Sequence, residues 1–219
     1  MPLTGIYAIT DDELLPPLQL CAAVESALAG GIALLQYRSK QDYSATRLRT
    51  ARELQTLCAH YGVPLLINDD VELCASVGAA GVHIGRQDAP LAQARKRLGA
   101  DAIIGVTCHA SLADAIVAEQ HGADYVAFGR FFPSHTKPTA PPADLALLTH
   151  ARAALRLPIV AIGGINTENG AAVIQAGADM LACVHSVFGG PNVSAQTRAL
   201  VALFSHSGKA STNERTTSK

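Results

Sequence analysis

Short apolar runs alternate with longer helical stretches along most of the chain. Each run spans four to six residues, as buried strands do, and glycine, proline or polar residues follow it. Strands that alternate with helices form parallel sheets, and eight such units close a barrel. The sequence therefore predicts an α/β fold, a single (β/α)8 TIM barrel. The predicted strands cover residues 5–10, 33–37, 64–67, 81–84, 102–106, 125–128, 158–162 and 180–184.

The segments between these runs are predicted to be helices. Helical spacing of apolar residues marks residues 17–29, 44–61 and 71–77, and a further helix is expected to begin near Thr167. Glycine followed by alanine or valine recurs just before strands, as at Gly122-Ala123 and Gly177-Ala178, which is typical of helix C-caps. Repeated βα units favour one catalytic domain over residues 1–204, with residues 205–219 as a disordered polar tail.

Composition excludes several classes of protein. A net charge of −1 over 219 residues argues against a nucleic-acid-binding surface. No leader peptide opens the chain and no apolar run is long enough to cross a bilayer. Five cysteines without CxxC spacing indicate reduced thiols that serve as packing residues. We expect a cytoplasmic protein with small-molecule partners and no nucleic-acid or membrane partner; whether it forms a homo-oligomer stays open.

Polar residues follow most of the predicted strands. Because active sites of such barrels lie at the carboxyl ends of the strands, these residues are expected to meet at one rim. The groups, in chain order, are Gln36-Tyr37-Arg38-Ser39-Lys40, Asn68-Asp69-Asp70, His83 with the segment from Gly85 to Asp88, Thr107, the segment from Ser134 to Lys137, and Gly163-Gly164.

The residue types in these groups suit two phosphate sites. Arg38, Lys40 and Lys137 are cations that can hold a diphosphate. Asp69 and Asp88 are hard oxygen ligands, and Mg²⁺ takes one or two carboxylates together with phosphate oxygens. The glycine pair Gly163-Gly164, placed just before a predicted helix, can offer backbone N–H groups to a monophosphate. The sequence therefore predicts two phosphorylated substrates and a magnesium site.

Each of these residues also has a structural interpretation. Asp88 precedes Ala89-Pro90 and can be a helix N-cap, and either Asp69 or Asp70 can cap the next helix. Two adjacent aspartates allow Asp70 to cap while Asp69 binds metal. Arg38 and Lys40 can be surface charges. His83 lies within a strand, which favours a hydrogen-bonded core histidine over a catalytic one.

Six motifs in fixed order together resemble the thiamine phosphate synthase family. The resemblance extends from about Gly5 to Phe188, which is nearly all of the predicted barrel. The motifs are Leu35-Gln-Tyr-Arg-Ser-Lys40, Ile67-Asn-Asp69, Val82-His-Ile-Gly-Arg-Gln-Asp88, Gly105-Val-Thr107, Phe132-Pro-Ser-His-Thr-Lys-Pro138 and Ala161-Ile-Gly-Gly-Ile165.

The resemblance implies a role for each matching residue. Arg38, Lys40 and Lys137 are implied to act on the leaving diphosphate. The implied pyrimidine-diphosphate site comprises Gln36, Arg38, Lys40, Asn68, Thr107 and Lys137, with Tyr37 and Ser39 giving backbone contacts. The implied Mg²⁺ ligands are Asp69 and Asp88. The implied thiazole-phosphate site comprises Ser134, His135, Thr136 and Gly164, with Val184 and His185 closing it after the last strand.

The implied reaction is a transfer in thiamine biosynthesis. It condenses 4-amino-2-methyl-5-(diphosphomethyl)pyrimidine with 4-methyl-5-(2-phosphoethyl)thiazole to give thiamine phosphate and diphosphate. Departures from the family pattern occur at Asp70, Arg86, Arg130, Ser134 and the pair His185-Ser186. None of them removes a cation or a metal carboxylate, and the change at His185 bears most on the contact after the last strand.

Three other functions fit the sequence less well. A thiazole tautomerase shares the barrel but needs no diphosphate cluster, so the three cations and two aspartates count against it. A non-catalytic barrel that binds a phosphorylated metabolite has no reason to keep metal carboxylates. An aldolase on the same fold requires a buried lysine within a strand, and no predicted strand contains lysine.

Overall fold

The computed structural model describes residues 3–40, 44–85, 90–133 and 142–205. Within those residues, strands and helices alternate along the chain and a last helix follows the eighth unit. The strands are β1 (Gly5–Ile9), β2 (Leu34–Tyr37), β3 (Leu65–Asn68), β4 (Gly81–Ile84), β5 (Ile103–His109), β6 (Tyr125–Phe128), β7 (Ile159–Ile162) and β8 (Met180–Cys183). The helices are α1 (Pro17–Ala29), α2 (Ser44–Tyr61), α3 (Val71–Val77), α4 (Leu91–Leu98), α5 (Leu112–Gln120), α6 (Ala146–Ala154), α7 (Gly170–Ala176), α8 (His185–Phe188) and α9 (Val193–Ser205).

The eight strands form a closed parallel barrel in the order of the chain. Closure is made by β8, which pairs with β1 through the register Gly5 to Met180. All carboxyl ends therefore meet at one rim, and the predicted (β/α)8 barrel is confirmed. The register places Asn68 beside His83 and His83 beside Gly105, so the motifs after β3, β4 and β5 are direct neighbours.

The strands are buried on both sides, as expected for a parallel sheet covered by helices. One set of buried side chains, including Tyr7, Leu34, Tyr125 and Met180, fills the barrel. A second set, including Ile6, Leu35 and Phe204, packs between the strands and the helices. Side chains on the barrel interior therefore alternate along each strand with those beneath the helices, and this alternation aims selected polar residues inward.

Most of the predicted element bounds agree with the structure to within one or two residues. The helices predicted at residues 17–29, 44–61 and 71–77 are confirmed, and Gly78 caps α3 in the left-handed conformation. The helix expected near Thr167 was wrong by three residues, since α7 begins at Gly170. Residues 167–169 instead form a turn, in which the Asn166 side chain accepts hydrogen bonds from the backbone of Glu168 and Asn169.

The predicted tail lies almost entirely outside the described residues, which end at Ser205, the last residue of α9. The tail therefore stays a prediction for residues 206–219. Among the helices of the described ranges, none combines the length and the apolar character that a membrane span requires.

Two similar ion-pair clusters close the amino-terminal rim. Arg152 of α6 pairs with Asp179 at 2.7 Å and also donates to the backbone carbonyls of Leu155 and Leu157. Asp179 accepts in turn from the backbone N–H of Ile159. Arg95 of α4 pairs in the same way with Asp124, whose carboxylate accepts from the N–H of Ile104. The recurring Gly-Ala-Asp sequences thus end in an aspartate that joins a helix to a strand.

Replacing Asp179 with alanine is expected to lower stability without altering substrate affinity. The change leaves the Arg152 guanidinium and the Ile159 N–H without their carboxylate, which costs about 1–3 kcal/mol. For a chain of this size the melting temperature should fall by several degrees. Thermal unfolding measures the effect, with Asp101→Ala, an exposed aspartate at the same rim, as the control. An unchanged melting temperature would show that the cluster adds nothing.

Candidate active site

Arg38 is held in place by residues that follow β1. Its backbone N–H donates to Thr10 Oγ1 at 2.9 Å, and its guanidinium lies 3.4 Å from the carboxylate of Asp11. Both side chains are largely buried, with 14% and 13% of their surface exposed. A guanidinium held this way loses little conformational entropy when it binds an anion. The structure therefore presents Arg38 as a preorganised cation at the carboxyl rim.

The next two residues of the cationic segment are fixed by Asp12. Its Oδ2 atom accepts from Ser39 Oγ at 3.1 Å and from the backbone N–H of Lys40 at 2.6 Å. The Lys40 side chain itself is exposed, so its charge is available to a ligand. Tyr37 is buried, and burial raises the pKa of its phenol. The turn after β2 is thus shaped by the turn after β1.

Sequence reasoning did not assign a function to Asp11 and Asp12. A signal was nevertheless present, because both residues directly follow β1 at the rim where the cations of β2 were expected. Neighbouring parallel strands bring their carboxyl ends together, and acidic side chains there can hold basic ones. These two aspartates therefore support the candidate site from the adjacent strand.

Replacing Asp12 with alanine is expected to weaken binding of a diphosphate-bearing substrate. Without its carboxylate, Ser39 and the Lys40 N–H lose their acceptor and the turn loses its fixed shape. We expect the KM for such a substrate to rise about tenfold, which corresponds to roughly 1.4 kcal/mol. Steady-state kinetics measures this, with Glu13→Ala as the control because the Glu13 side chain is exposed. Equal KM values for the two variants would contradict the expectation.

The turn after β3 separates the roles of two adjacent aspartates. Asp70 is the N-cap of α3, where its side chain accepts from the N–H of Leu73 at 2.8 Å, and it also pairs with Arg47 at 3.3 Å. Asp69 is exposed, has a positive φ of 62°, and accepts from the Asn68 amide. The capping interpretation is confirmed for Asp70. Asp69 is left with an exposed carboxylate that can take a cation.

A pocket of about 780 Å³ opens beside this turn. Three predicted site residues, Ser39, Asn68 and Asp69, line it together with Arg47 and with basic residues of α4. Residues from β2 and β3 therefore border one concave space. Within the described ranges no cluster of three or more potential metal ligands occurs, and Asp88, the second predicted ligand, lies outside them. The magnesium ligands remain a prediction.

Gln36 and Thr107 face the barrel interior and bond to other interior residues. Gln36 is 2% exposed and its amide nitrogen donates to the phenol oxygen of Tyr7. Thr107 lies 2.7 Å from His83 Nε2, and His83 Nδ1 lies 2.8 Å from the phenol oxygen of Tyr125. Both ring nitrogens of His83 are therefore engaged. The interpretation of His83 as a hydrogen-bonded core histidine is confirmed.

The ends of β7 and β8 also lie together. Gly164 has a φ of 62°, and a Cβ atom there would lie 2.2 Å from the carbonyl oxygen of Pro133, so glycine allows the segment after β6 to pack closely. Val184 precedes the short helix α8, and His185 is exposed at its first position. Ser186 donates to the carbonyl of Ile165, which joins α8 to the turn after β7.

The expected helix N-terminus at Gly163-Gly164 is not observed. Because α7 begins at Gly170, the glycine pair does not open a helix. The positive end of the α7 dipole therefore does not lie at the backbone N–H groups of these glycines. The close packing against residues after β6 accounts for both glycines: a Cβ at Gly163 would lie 2.3 Å from the Cβ of Arg130. A phosphate contact at Gly164 stays a prediction.

Several predicted residues lie outside the part of the chain that the structure describes. They are Arg86, Asp88, Ser134, His135, Thr136 and Lys137. The described residues that flank them, Gly85 after β4 and Pro133 after β6, are at the carboxyl rim. The roles of the last five stay predictions, and Arg86 was named only as a departure from the family pattern.

The buried cysteines have no features of nucleophiles. Burial raises the pKa of the Cys74 thiol to about 11, and raises those of Cys58 and Cys183 to about 12. These thiols are protonated at neutral pH, and the protonated form is a poor nucleophile. All five cysteines of the chain are free thiols, as predicted from their spacing. The interpretation of these three as packing residues fits their positions in the core.

Comparison with known proteins identifies the family. Residues 6–187 match the model of thiamine monophosphate synthase, which covers the whole barrel. The chain belongs to the thiamine monophosphate synthase family. It is 55% identical over 195 residues to thiamine-phosphate synthase of Marinobacter nauticus, covering 89% of this chain and 87% of that one. It is 51% identical to thiamine-phosphate synthase of Thioalkalivibrio sulfidiphilus, covering 92% and 96%.

A solved structure agrees with these relatives. Thiamine phosphate pyrophosphorylase from Pyrococcus furiosus superposes with a TM-score of 0.85 at 31% identity, covering 93% of this chain and 96% of that one. The resemblance noted from the six motifs is therefore confirmed, and the chain is a transferase of this family. Residues 6–187 also agree closely with the extent of the resemblance seen in the sequence.

Proposed function

We propose that this chain joins a pyrimidine methyl diphosphate to a thiazole phosphate and releases thiamine phosphate and diphosphate. The observation that carries the proposal is the turn after β2, where Arg38 and Lys40 are fixed by Asp11 and Asp12. This turn lies next to the turn of Asn68 and Asp69, because β2 pairs with β3. A fixed cationic turn beside an exposed carboxylate suits a diphosphate, alone or with a divalent cation.

The reaction breaks one bond and forms one bond. The C–O bond between the pyrimidine methylene and the diphosphate breaks, and both electrons leave with the diphosphate. The 4-amino group spreads the positive charge of the remaining cation through the ring, and the thiazole nitrogen then supplies the electron pair for the new C–N bond. No protein nucleophile is needed. The protein accelerates the reaction by orienting both substrates and by stabilising charge on the leaving group.

Arg38, Lys40 and Lys137 are the residues assigned to the leaving group. Arg38 is held at a fixed angle by Asp11, so it need not reorganise while charge develops on the diphosphate oxygens. Lys40 extends from a turn whose backbone is also fixed. Lys137 follows β6 in sequence and is assigned from the family motif alone. Together they place positive charge on the departing side of the methylene carbon.

The residues present fit a bound Mg²⁺. Asp69 offers an exposed carboxylate at the rim, and Asp88, which lies outside the described residues, is assigned as the second ligand from the family motif. Mg²⁺ binds such oxygen ligands with phosphate oxygens and water completing its coordination. When bound there, the ion would neutralise part of the negative charge of the diphosphate.

The thiazole phosphate is assigned to the rim at the ends of the last strands of the barrel. Gly164, Val184 and His185 lie at the ends of β7 and β8, and the bond between Ser186 and Ile165 joins these two ends. Ser134, His135 and Thr136 follow β6, the neighbour of β7. The second substrate is therefore assigned to the part of the rim formed by the ends of β6, β7 and β8.

The structure also bears on the alternatives. The eight described strands contain no lysine, so the Schiff-base lysine of an aldolase has no place in the barrel wall. A thiazole tautomerase acts on one substrate and has no need of the fixed cationic turn after β2. The fixed cationic turn would also suit a non-catalytic binding barrel, and the product assay described next separates that function from catalysis.

The proposed reaction is tested by incubating the purified protein with both substrates, with and without Mg²⁺. We expect diphosphate and thiamine phosphate to form in equal amounts, only when both substrates and Mg²⁺ are present. Omitting either substrate is the control. Diphosphate release that does not depend on the thiazole phosphate, or no product under any condition, would overturn the proposal. We also propose a cytoplasmic location, which the free state of all five cysteines supports.

A further inference from the structure

A chain of hydrogen bonds crosses the barrel interior just below the rim. It begins at Gln36 on β2, passes through Tyr7 on β1, Tyr125 on β6 and His83 on β4, and ends at Thr107 on β5. The successive distances between heavy atoms are 2.5, 2.9, 2.8 and 2.7 Å. Tyr7 and Tyr125 are 1% and 0% exposed, so water cannot substitute for their partners. Five strands therefore share one buried polar network.

The amide nitrogen of Gln36 faces Tyr7, and this orientation sets the direction of every bond in this chain of hydrogen bonds. The amide nitrogen can only donate, so the phenol oxygen of Tyr7 accepts from it. Tyr7 has one proton, and that proton goes to the oxygen of Tyr125. Tyr125 donates in turn to Nδ1 of His83, which must therefore be the unprotonated nitrogen.

The far end of the chain follows from the histidine tautomer. A neutral imidazole whose Nδ1 accepts carries its proton on Nε2, and that proton is donated to Thr107 Oγ1. Thr107 accepts from His83 and keeps its own hydroxyl proton for another acceptor. At the opposite end, the carbonyl oxygen of the Gln36 amide is the atom that the chain leaves unused. The two ends are thus a fixed acceptor on Gln36 and a fixed donor on Thr107.

The surroundings hold this chain in one arrangement. Burial raises the pKa of both the Tyr7 and the Tyr125 phenols, so both remain neutral donors. The ring of Tyr125 stacks on His83 at 5.6 Å and meets Tyr7 edge-on at 6.0 Å. Gly105 makes room for that ring, because a Cβ atom there would lie 1.9 Å from the Tyr125 Cζ atom. The Gly105-Val-Thr107 motif therefore supplies both the space and the terminus of the chain.

We propose that Tyr7, Tyr125 and His83 are positioning residues that make the site select a 4-aminopyrimidine over its 4-oxo counterpart. The inference rests on the proposed function, in which Gln36 and Thr107 contact the pyrimidine. A 4-aminopyrimidine offers an N–H donor on the amine and an acceptor at the ring nitrogen, which match an amide oxygen and a hydroxyl proton. A 4-oxopyrimidine reverses both groups. Because the buried chain of hydrogen bonds fixes Gln36 as the acceptor and Thr107 as the donor, the site cannot exchange these roles to bind the 4-oxo form.

The direction of the chain is tested on the wild-type protein without substrate. Protein labelled with ¹⁵N in its histidine rings is studied by NMR at slightly alkaline pH, and the His83 signal among the eight histidines is assigned by its loss in His83→Gln. If that variant does not fold, the signal is assigned as the one that shifts in Tyr125→Phe. We expect a proton on Nε2 and none on Nδ1. A proton on Nδ1, with or without one on Nε2, would overturn the proposal.

Selectivity is tested by inhibition. The inhibitors are the 4-amino and 4-oxo forms of the pyrimidine monophosphate, which lack the leaving diphosphate. In the wild type the 4-amino form should bind more tightly. Tyr125→Phe breaks the chain while keeping the ring, and we expect the ratio of the two inhibition constants to fall about tenfold, with the KM for the thiazole phosphate within about twofold.

Tyr61→Phe is the matched control, because Tyr61 lies at the end of α2 and takes no part in the chain of hydrogen bonds. This variant should keep the wild-type ratio of the two inhibition constants. A folded Tyr125→Phe variant with the wild-type ratio would refute the positioning role. If Tyr125→Phe does not fold, the tautomer measurement decides alone. If the wild type forms no product from the two substrates, the proposed function fails. If the wild type is active but Tyr125→Phe keeps the wild-type ratio of inhibition constants, only the present inference fails.

Discussion

Replacing Arg38 with alanine is expected to lower kcat/KM for the pyrimidine diphosphate by roughly 10²–10³, the loss seen when one preorganised donor to a developing anion is removed. The expectation follows from the way Arg38 is held: Thr10 fixes its backbone and Asp11 its guanidinium, so its charge acts without reorganisation. Because charge grows on the diphosphate as the C–O bond breaks, most of the loss should appear in kcat. Steady-state kinetics with each substrate varied in turn measures it.

Two further variants separate the role of the guanidinium from that of positive charge in general. Arg38→Lys keeps the charge but loses the planar pair of donors, so it should recover only part of the rate. Arg49→Ala removes an exposed arginine of α2 that pairs with Glu53 at the surface, and it should behave as the wild type. An Arg38→Ala variant within about threefold of the wild type, at saturating Mg²⁺, would contradict the assignment of Arg38 to the leaving group.

The barrel was predictable because its signals are local. Each strand is a short apolar run, and several helices end where glycine follows, as at Gly78, so the order of elements could be read without knowledge of tertiary contacts. The cap at Asp70 was likewise predictable, since an aspartate that directly precedes a helix has a fixed chemical use. Family membership followed from motifs placed on successive strands.

The buried hydrogen bonds beneath the site were not predictable from the sequence in this way. Tyr7 and Tyr125 are 118 residues apart and their strands are not neighbours in the barrel, so only closure of the whole fold brings the two phenols together. The helix expected near Thr167 failed for a related reason: the Asn166 side chain stabilises a turn that competes with the helix. The spacing of apolar residues does not reveal such hydrogen bonds between a side chain and the backbone.

Aspartates at the two rims of the barrel have different roles, in stability at one rim and in the candidate site at the other. At the amino-terminal rim, Asp124 and Asp179 each neutralise an arginine and accept from a strand N–H, so their carboxylates are already engaged. At the carboxyl rim, Asp11 pairs with Arg38 and Asp12 accepts from the backbone N–H of Lys40, so these two aspartates fix a turn that carries two cations. The same residue type therefore stabilises the fold at one end and prepares the site at the other.

Replacing Asp69 with asparagine is expected to raise the Mg²⁺ concentration needed for half-maximal activity by at least about 10–100-fold, the range known for groups that merely support a metal ligand. Asparagine tolerates the positive φ of Asp69 and can still accept from the Asn68 amide, so the turn should keep its shape while it loses one negative charge. Titration of activity with Mg²⁺ measures the shift.

The adjacent aspartate supplies the matched control. Asp70→Asn makes the same chemical change one residue away, and asparagine caps a helix as well as aspartate does, so α3 should stay intact. The pair with Arg47 is partly exposed at 3.3 Å and contributes little. We expect Asp70→Asn to keep the wild-type Mg²⁺ requirement. Only loss of a ligand's charge should affect one of these two aspartates and spare the other, because both lie in the same turn. The metal is therefore not bound by Asp69 if Asp69→Asn keeps the wild-type Mg²⁺ requirement, or if only Asp70→Asn shifts it.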